Sequence, residues 1–156
     1  LDHLVKELEP YSIGAVIPAT EAGVLLADQL ASHFECKNNG LANSAARRNQ
    51  FLMREAAKRK QLALPRYFIT QDFGQIKDWM STHQQTYPIV LKPLTEAGTF
   101  GVHIVHNPRQ LEEAFLQLNQ RGSFLADGQV KDILVEEYLT GEEYAINTLS
   151  HQGNTQ

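Results

Sequence analysis

The sequence predicts two units of different class: an α/β piece over residues 1–62, and an α+β unit with helices and a mainly antiparallel sheet over residues 63–156. Three observations lead there. The apolar run "IGAVIP", Ile13 to Pro18, is too short for a helix and stands between two helical periodicities, which is the helix, strand, helix order of a crossover. Beyond Pro65, short β-rich runs alternate irregularly with amphipathic helical segments, as helices packed on an antiparallel sheet require. Between them, near residues 62–66, a basic helix-forming tract gives way to "LALPR", where a boundary is expected.

In chain order, "LDHLVKEL" places Leu1, Leu4, Val5 and Leu8 on one helical face. After the "IGAVIP" strand, "TEAGVLLADQLASHF" reads as a helix with Thr20 as N-cap, Glu21 in the first turn and Val24, Leu25, Ala27, Leu30 and Phe34 on its apolar stripe. Ser44 is expected to cap a long helix, "AARRNQFLMREAAKRKQL", ending near Leu62. A strand follows Pro65, then a helix with Phe73, Ile76, Trp79 and Met80 inward. Next come the strand "YPIVLKP", a glycine loop, the strand "GVHIV" and a helix from "NPRQLEEAFLQL". The polar stretch "NQRGSFLADGQVKD" precedes the strand "ILVEEYL", a turn at Gly141 and a last strand "EYAINTLS".

Composition limits the function classes. With 156 residues, 42% hydrophobic and 21% charged, the chain can bury a core, and disorder is not expected. The net charge of -4 and the absence of any basic run beyond "ARR" and "KRK" argue against nucleic acid as a partner. Cys36 is the single cysteine, which excludes an internal disulfide and a multi-cysteine metal site and suits a reducing, cytoplasmic compartment. No apolar run approaches the roughly 18 residues of a membrane helix, so no membrane partner is expected. His103 and His106 are expected on opposite faces of one strand and form no local metal pair. Cys36, with no base adjacent in sequence, reads as a buried or surface thiol.

Three stretches carry chemistry. "TEAGTFGV" has Gly98 and Gly101 flanked by Thr95 and Thr99, so its backbone N–H groups and hydroxyls can wrap phosphate oxygens, or it is simply a hairpin loop. No Gly-Lys-Ser/Thr follows, so it is not a P-loop. Lys92 ends an apolar strand just before that loop, either as a point charge aimed at whatever the loop holds or as a snorkelling strand end. In "VEEYLTGEEY", Glu136, Glu137, Leu139 and Glu143 crowd a turn; this is a solvated edge, or a hinge offering backbone groups to a base and a carboxylate to sugar hydroxyls.

The order "RRNQFLMREAAKRKQLALPRY", "YPIVLKP", "EAGTFGV", "LVEEYLTGEEY" resembles the front half of the ATP-grasp superfamily, most of all its carboxylate–amine ligases, including those that join amino acids. "PATEAGVLLADQL" resembles the segment ahead of the nucleotide domain in that group, so the resemblance covers roughly residues 15–150. It implies a pre-ATP-grasp α/β piece followed by the N-terminal ATP-grasp subdomain. It further implies that Lys92 contacts the α- and β-phosphates of ATP and that Gly98, Thr99 and Gly101 close over the β- and γ-phosphates. Glu136, Glu137 and Leu139 would form the adenine-side hinge, and Glu143 would bind the ribose hydroxyls. Glu21, opening a helix beside the expected strand, is a candidate substrate contact or a first-turn charge.

Two departures from the pattern matter. Relatives carry a nucleotide-binding lysine in the helix that begins near Arg47, and the aligned position here is Gln50, so Arg47 or Arg48 would have to reach in. The carboxylates that bind Mg2+ in relatives lie on strands after the hinge, which this sequence does not include. Asn147, Asp127 and Asp132 read instead as loop and strand-edge residues, and this stretch alone is not expected to turn over. The resemblance therefore implies a small-molecule carboxylate and an amine as substrates, and a possible homodimer of the complete protein. The alternative is a non-catalytic nucleotide-binding or regulatory module working with a partner, or a degenerate scaffold in which the flap is only a loop.

Overall fold

The computed structural model describes residues 1–96, 98–120, 132–146, 148, 150–151 and 154–155. Four antiparallel strands form its main sheet: β1 (Tyr67–Thr70), β2 (Ile89–Pro93), β3 (His103–Val105) and β4 (Ile133–Glu137), in the order β1-β4-β2-β3. Two short strands, β5 (Ser150–His151) and β6 (Asn154–Thr155), pair separately. The helices are α1 (Asp2–Leu8), α2 (Val24–His33), α3 (Gln50–Arg59), α4 (Phe73–Thr82) and α5 (Pro108–Gln120).

Strand periodicity gives the sheet two unlike faces. Ile89, Leu91, Val105, Ile133 and Val135 turn to one side and pack with Ile76 and Trp79 of α4 and Leu111, Ala114 and Leu118 of α5, forming the core. The expected inward residues of α4 behave as read: Ile76 and Trp79 are buried, and Phe73 and Met80 pack against them. On the opposite face stand Tyr67, Val90, Lys92, Leu134 and Glu136, and α3 reaches that face. Phe51 meets the Tyr67 ring edge-on at 6.1 Å, Tyr67 gives its hydroxyl to Glu55 at 2.7 Å, and Arg54 bonds Glu136.

Several expectations are corrected. Ile13–Pro18 forms no strand; no described strand lies beside it to complete a ladder, and Ile17 is 82% exposed, so the α/β crossover is not seen and the described sheets are entirely antiparallel. The long helix from Ser44 is broken into a 3-10 turn, Ala45–Arg47, and α3. Ser44 spends its hydroxyl on Asp28, and Asn49, in extended conformation, caps α3 by accepting from Leu52 N at 3.0 Å. Thr20 makes no side-chain cap, and a 3-10 turn over Glu21–Gly23 precedes α2. The last expected strand is also absent at 142–146, where the chain is unpaired and Tyr144 and Ile146 are exposed.

The helix ends use a shared device without glycine. Glu35, Gln61 and Gln84 take positive φ two residues past α2, α3 and α4, and the next N–H bonds back to Ala31 O, Ala57 O and Met80 O. Each bond closes the last turn, which is why α3 stops at Arg59 with Leu62 still tied to it.

Candidate nucleotide site

Lys92 is the first candidate residue the fold positions. In β2 it lies opposite Leu134, and Val90 lies opposite Glu136, so Lys92 and Glu136 are diagonal neighbours on the α3 face. Lys92 Nζ lies 2.5 Å from Glu136 Oε2 in an ion pair, and Arg54 Nε donates to Glu136 Oε1 at 2.7 Å, with Nη2 at 3.4 Å from Oε2. Glu136 is 4% exposed. A carboxylate so placed requires charged partners, and among the described residues it has two, Lys92 and Arg54.

The loop after β2 is anchored at its base. Gln50 N donates to Leu94 O at 2.8 Å, and Arg48 Nη2 reaches Thr95 O at 3.3 Å. Its tip turns on Gly98 (φ +61) and Gly101 (φ +78), conformations that a side chain would strain, with Val102 N bonded to Thr99 O at 3.1 Å. Thr99 is exposed. Arg47 and Arg48 do not stand in for the lysine expected at Gln50: Arg47 pairs with Asp28 and Arg48 with Glu21. Burial works against the Asp28 charge, but hydrogen bonds from Arg47 and Ser44 outweigh it and hold that carboxyl below its ordinary range. Glu21 is exposed and its carboxylate is engaged by Arg48.

At the other end of the sheet, the Arg66 guanidinium donates to Glu137 Oε2 at 2.6 Å and to His83 O at 2.8 Å, while Glu137 N donates to Arg66 O at 2.9 Å. The Arg66 hydrogen bond holds the Glu137 carboxyl below the usual range, with burial acting in the opposite direction. Leu139 and Glu143 follow on an exposed, unpaired segment. Asp132 accepts from Gln71 at 2.8 Å at the start of β4; Asp127 and Asn147 lie outside the described residues. His106 falls just past β3, and Cys36 is a buried free thiol directed at Ile13 O.

Sequence reasoning missed Arg54, Arg66 and the Tyr67–Glu55 pair. Acidic residues inside the apolar run "ILVEE" were the available signal, because a buried carboxylate demands a cation from another element. Burial and the Glu55 hydrogen bond push the Tyr67 phenol up to about 12 from 10.0. Because the folded value exceeds the unfolded one, this group's stabilisation is complete below pH 10.0 and is lost as pH rises toward about 12. We expect a late tyrosinate step in a spectrophotometric titration, absent from Tyr67→Phe and moved to lower pH by Glu55→Gln; no change in either variant would overturn the assignment.

A cavity of about 450 Å3, lined in part by Phe51, Glu55, Tyr67 and Trp79, opens at the β1 edge rather than beside Lys92. The Lys92 side chain is 13% exposed on the sheet face that α3 reaches. Among the described residues, no group of three or more His, Cys, Asp or Glu could hold a metal ion, and no helix is long and apolar enough to cross a membrane.

Residues 85–156, which contain Lys92, the glycine loop and the hinge, match the ATP-grasp domain family. That match covers 72 of the 156 residues of the chain. Dapdiamide A synthase of Enterobacter agglomerans is 34% identical over 154 residues, covering 98% of this chain and 36% of that protein. A D-alanine–D-alanine ligase of Marinomonas sp. is 30% identical over 66 residues, or 42% of this chain and 18% of the ligase. The crystal structure of an L-amino acid ligase from Bacillus licheniformis superposes with a TM-score of 0.75 at 22% identity, covering 99% of this chain and 33% of that one, which is a likeness of ATP-grasp fold. The chain spans about a third of the length of Dapdiamide A synthase and of the L-amino acid ligase.

Proposed function

We propose that this chain is the nucleotide-gripping N-terminal portion of an ATP-dependent carboxylate–amine ligase, in which ATP phosphorylates a carboxylate and an amine attacks the acyl-phosphate, releasing ADP and phosphate. Residues 1–62 would be the end of a preceding domain with its linking helix, and residues 63–156 the nucleotide-binding subdomain. One observation carries the reading: Lys92, the glycine loop and the hinge lie along a single β2–β4 pair. Ile89 is opposite Glu137 at the hinge end, and Pro93 is opposite Ile133 at the loop end. Four residue steps, about 14 Å at the usual strand rise, separate the two ends, comparable with an extended nucleoside triphosphate.

In this reading ATP lies along the sheet. Leu139 and the backbone after Glu137 face adenine, and Glu143 takes the ribose hydroxyls. Lys92 meets the α- and β-phosphates, and Gly98, Thr99 and Gly101 fold over the β- and γ-phosphates, excluding water from the acyl-phosphate. Glu136 and Glu137 support the hinge, their carboxylates being committed to cations of the chain itself. Glu21 would lie on the substrate side. Mg2+ would neutralise developing phosphate charge, and among the described residues no group of three or more His, Cys, Asp or Glu could hold it. The complete protein would act in the cytoplasm on a small-molecule carboxylate and an amine, with a homodimer as its candidate assembly.

Gln50 favours the alternative of a non-catalytic nucleotide-binding or regulatory module, since Arg47 and Arg48 are both held by carboxylates at that end of α3. Isothermal titration of the complete protein carrying this chain, with Mg-ATP and Mg-GTP, tests the reading. ATP should bind and GTP should not. Lys92→Ala should weaken ATP by roughly 10- to 100-fold, the loss of a charge-assisted phosphate contact, with a smaller loss for Glu143→Ala. No ATP binding, or equal affinity in Lys92→Ala, would sink the reading; ATP binding without ADP release on adding carboxylates and amines would select the module.

A further inference from the structure

We propose that Arg54 is a positioning residue for the nucleotide phosphates: by holding one side of the buried Glu136 carboxylate, it leaves Lys92 free to move onto an incoming phosphate. The inference rests on the preceding reading that Lys92 meets the nucleotide. Among the described residues, Arg54 and Lys92 are the cations paired with Glu136, Arg54 by hydrogen bonds mainly on Oε1 and Lys92 by an ion pair on Oε2. The neighbouring Tyr67 hydroxyl is directed to Glu55 instead. The side chains of Glu136, Lys92 and Arg54 are 5%, 13% and 20% exposed, so water contributes little to their mutual compensation.

Two cations on one carboxylate leave the trio with one net positive charge. Without Arg54, Lys92 and Glu136 would form a neutral pair. Drawing the ammonium toward a phosphate would then strand a buried carboxylate, which is strongly unfavourable. With Arg54 in place, Glu136 keeps a charge-assisted partner throughout, and the ammonium can be shared with the ligand. Arg54 need not touch the nucleotide to set how much of the Lys92 charge is available to it.

The helix supplies the alignment. Gln50, whose backbone N–H is fixed to Leu94 O at the base of the glycine loop, lies one turn before Arg54 on the same side of α3. One helical face therefore anchors the loop and presents the guanidinium to Glu136.

The test is Mg-ATP affinity of the complete protein in R54M, R54K, E136Q and the R54M/E136Q double variant, alongside K92A and with thermal unfolding recorded for each. R54M should weaken ATP on the order of tenfold, because its unshared carboxylate retains Lys92. R54K should lose less. The double variant should recover most of the affinity lost in R54M, since a neutral amide no longer retains the ammonium. A purely structural arginine would give no such recovery, and affinity would follow the loss of melting temperature. If K92A weakens ATP while R54M does not, or if the double variant stays as weak as R54M, the role of Arg54 is overturned and the nucleotide site stands. Unchanged affinity in K92A would take down both.

Discussion

Glu136→Ala is expected to lower the free energy of unfolding by roughly 3–5 kcal/mol, the usual consequence of removing one partner from a buried ionic network. The substitution leaves Lys92 and Arg54 as adjacent cations, both largely shielded from solvent, with no carboxylate between them. Glu136→Gln should cost much less, because an amide oxygen still accepts from one of the two donors. The pair of Arg66 and Glu137 provides an internal contrast: the Arg66 side chain is 51% exposed, and Arg66→Met should cost no more than about 1 kcal/mol. Urea unfolding with unchanged slope would measure all three. A loss below about 1 kcal/mol for Glu136→Ala would mean that the trio is solvated in solution, and the argument built on its burial would fail.

The sequence made the elements legible where apolar residues marked burial. The apolar run in "IVLKP" and the helical spacing in "FGQIKDWM" and "LEEAFLQL" marked a strand and two helices, which appear as expected, with Ile76 and Trp79 in the core. Ile13–Pro18 failed because an apolar run states only that burial is available; a strand also needs a neighbour's backbone, and none is described beside it. The broken helix at Ser44 failed for a local reason: serine, arginine and asparagine there found partners outside the helix, which propensity does not anticipate.

Within the candidate site, the residues on the strand and in the loop can be proposed from sequence, whereas their supports cannot. Lys92, Gly98 and Gly101 are marked by type and position in sequence. Arg54 is one of several basic residues in "MREAAKRK", and nothing local distinguishes it from Lys58 or Arg59. Its role depends on a contact with Glu136 across 82 positions of chain, which only the folded register creates.

That register can be tested through the core. Leu91 is fully buried, opposite His103 of β3 and Val135 of β4, and it stands between Val90 and Lys92, which face α3. Leu91→Ala should cost about 2–5 kcal/mol, since the cavity would sit among residues fixed by two neighbouring strands and two helices. Val90→Ala, on the half-covered face, should cost distinctly less. The difference decides more than packing, because side chains alternate strictly along a strand: whichever face receives Leu91, Lys92 receives the other. A large loss at Leu91 and a small one at Val90 would fix the ammonium on the face where Arg54, the glycine loop and the hinge converge. Comparable losses at both would mean that β2 is slipped by one residue or covered on both faces, and Lys92 would then have no open path to a phosphate.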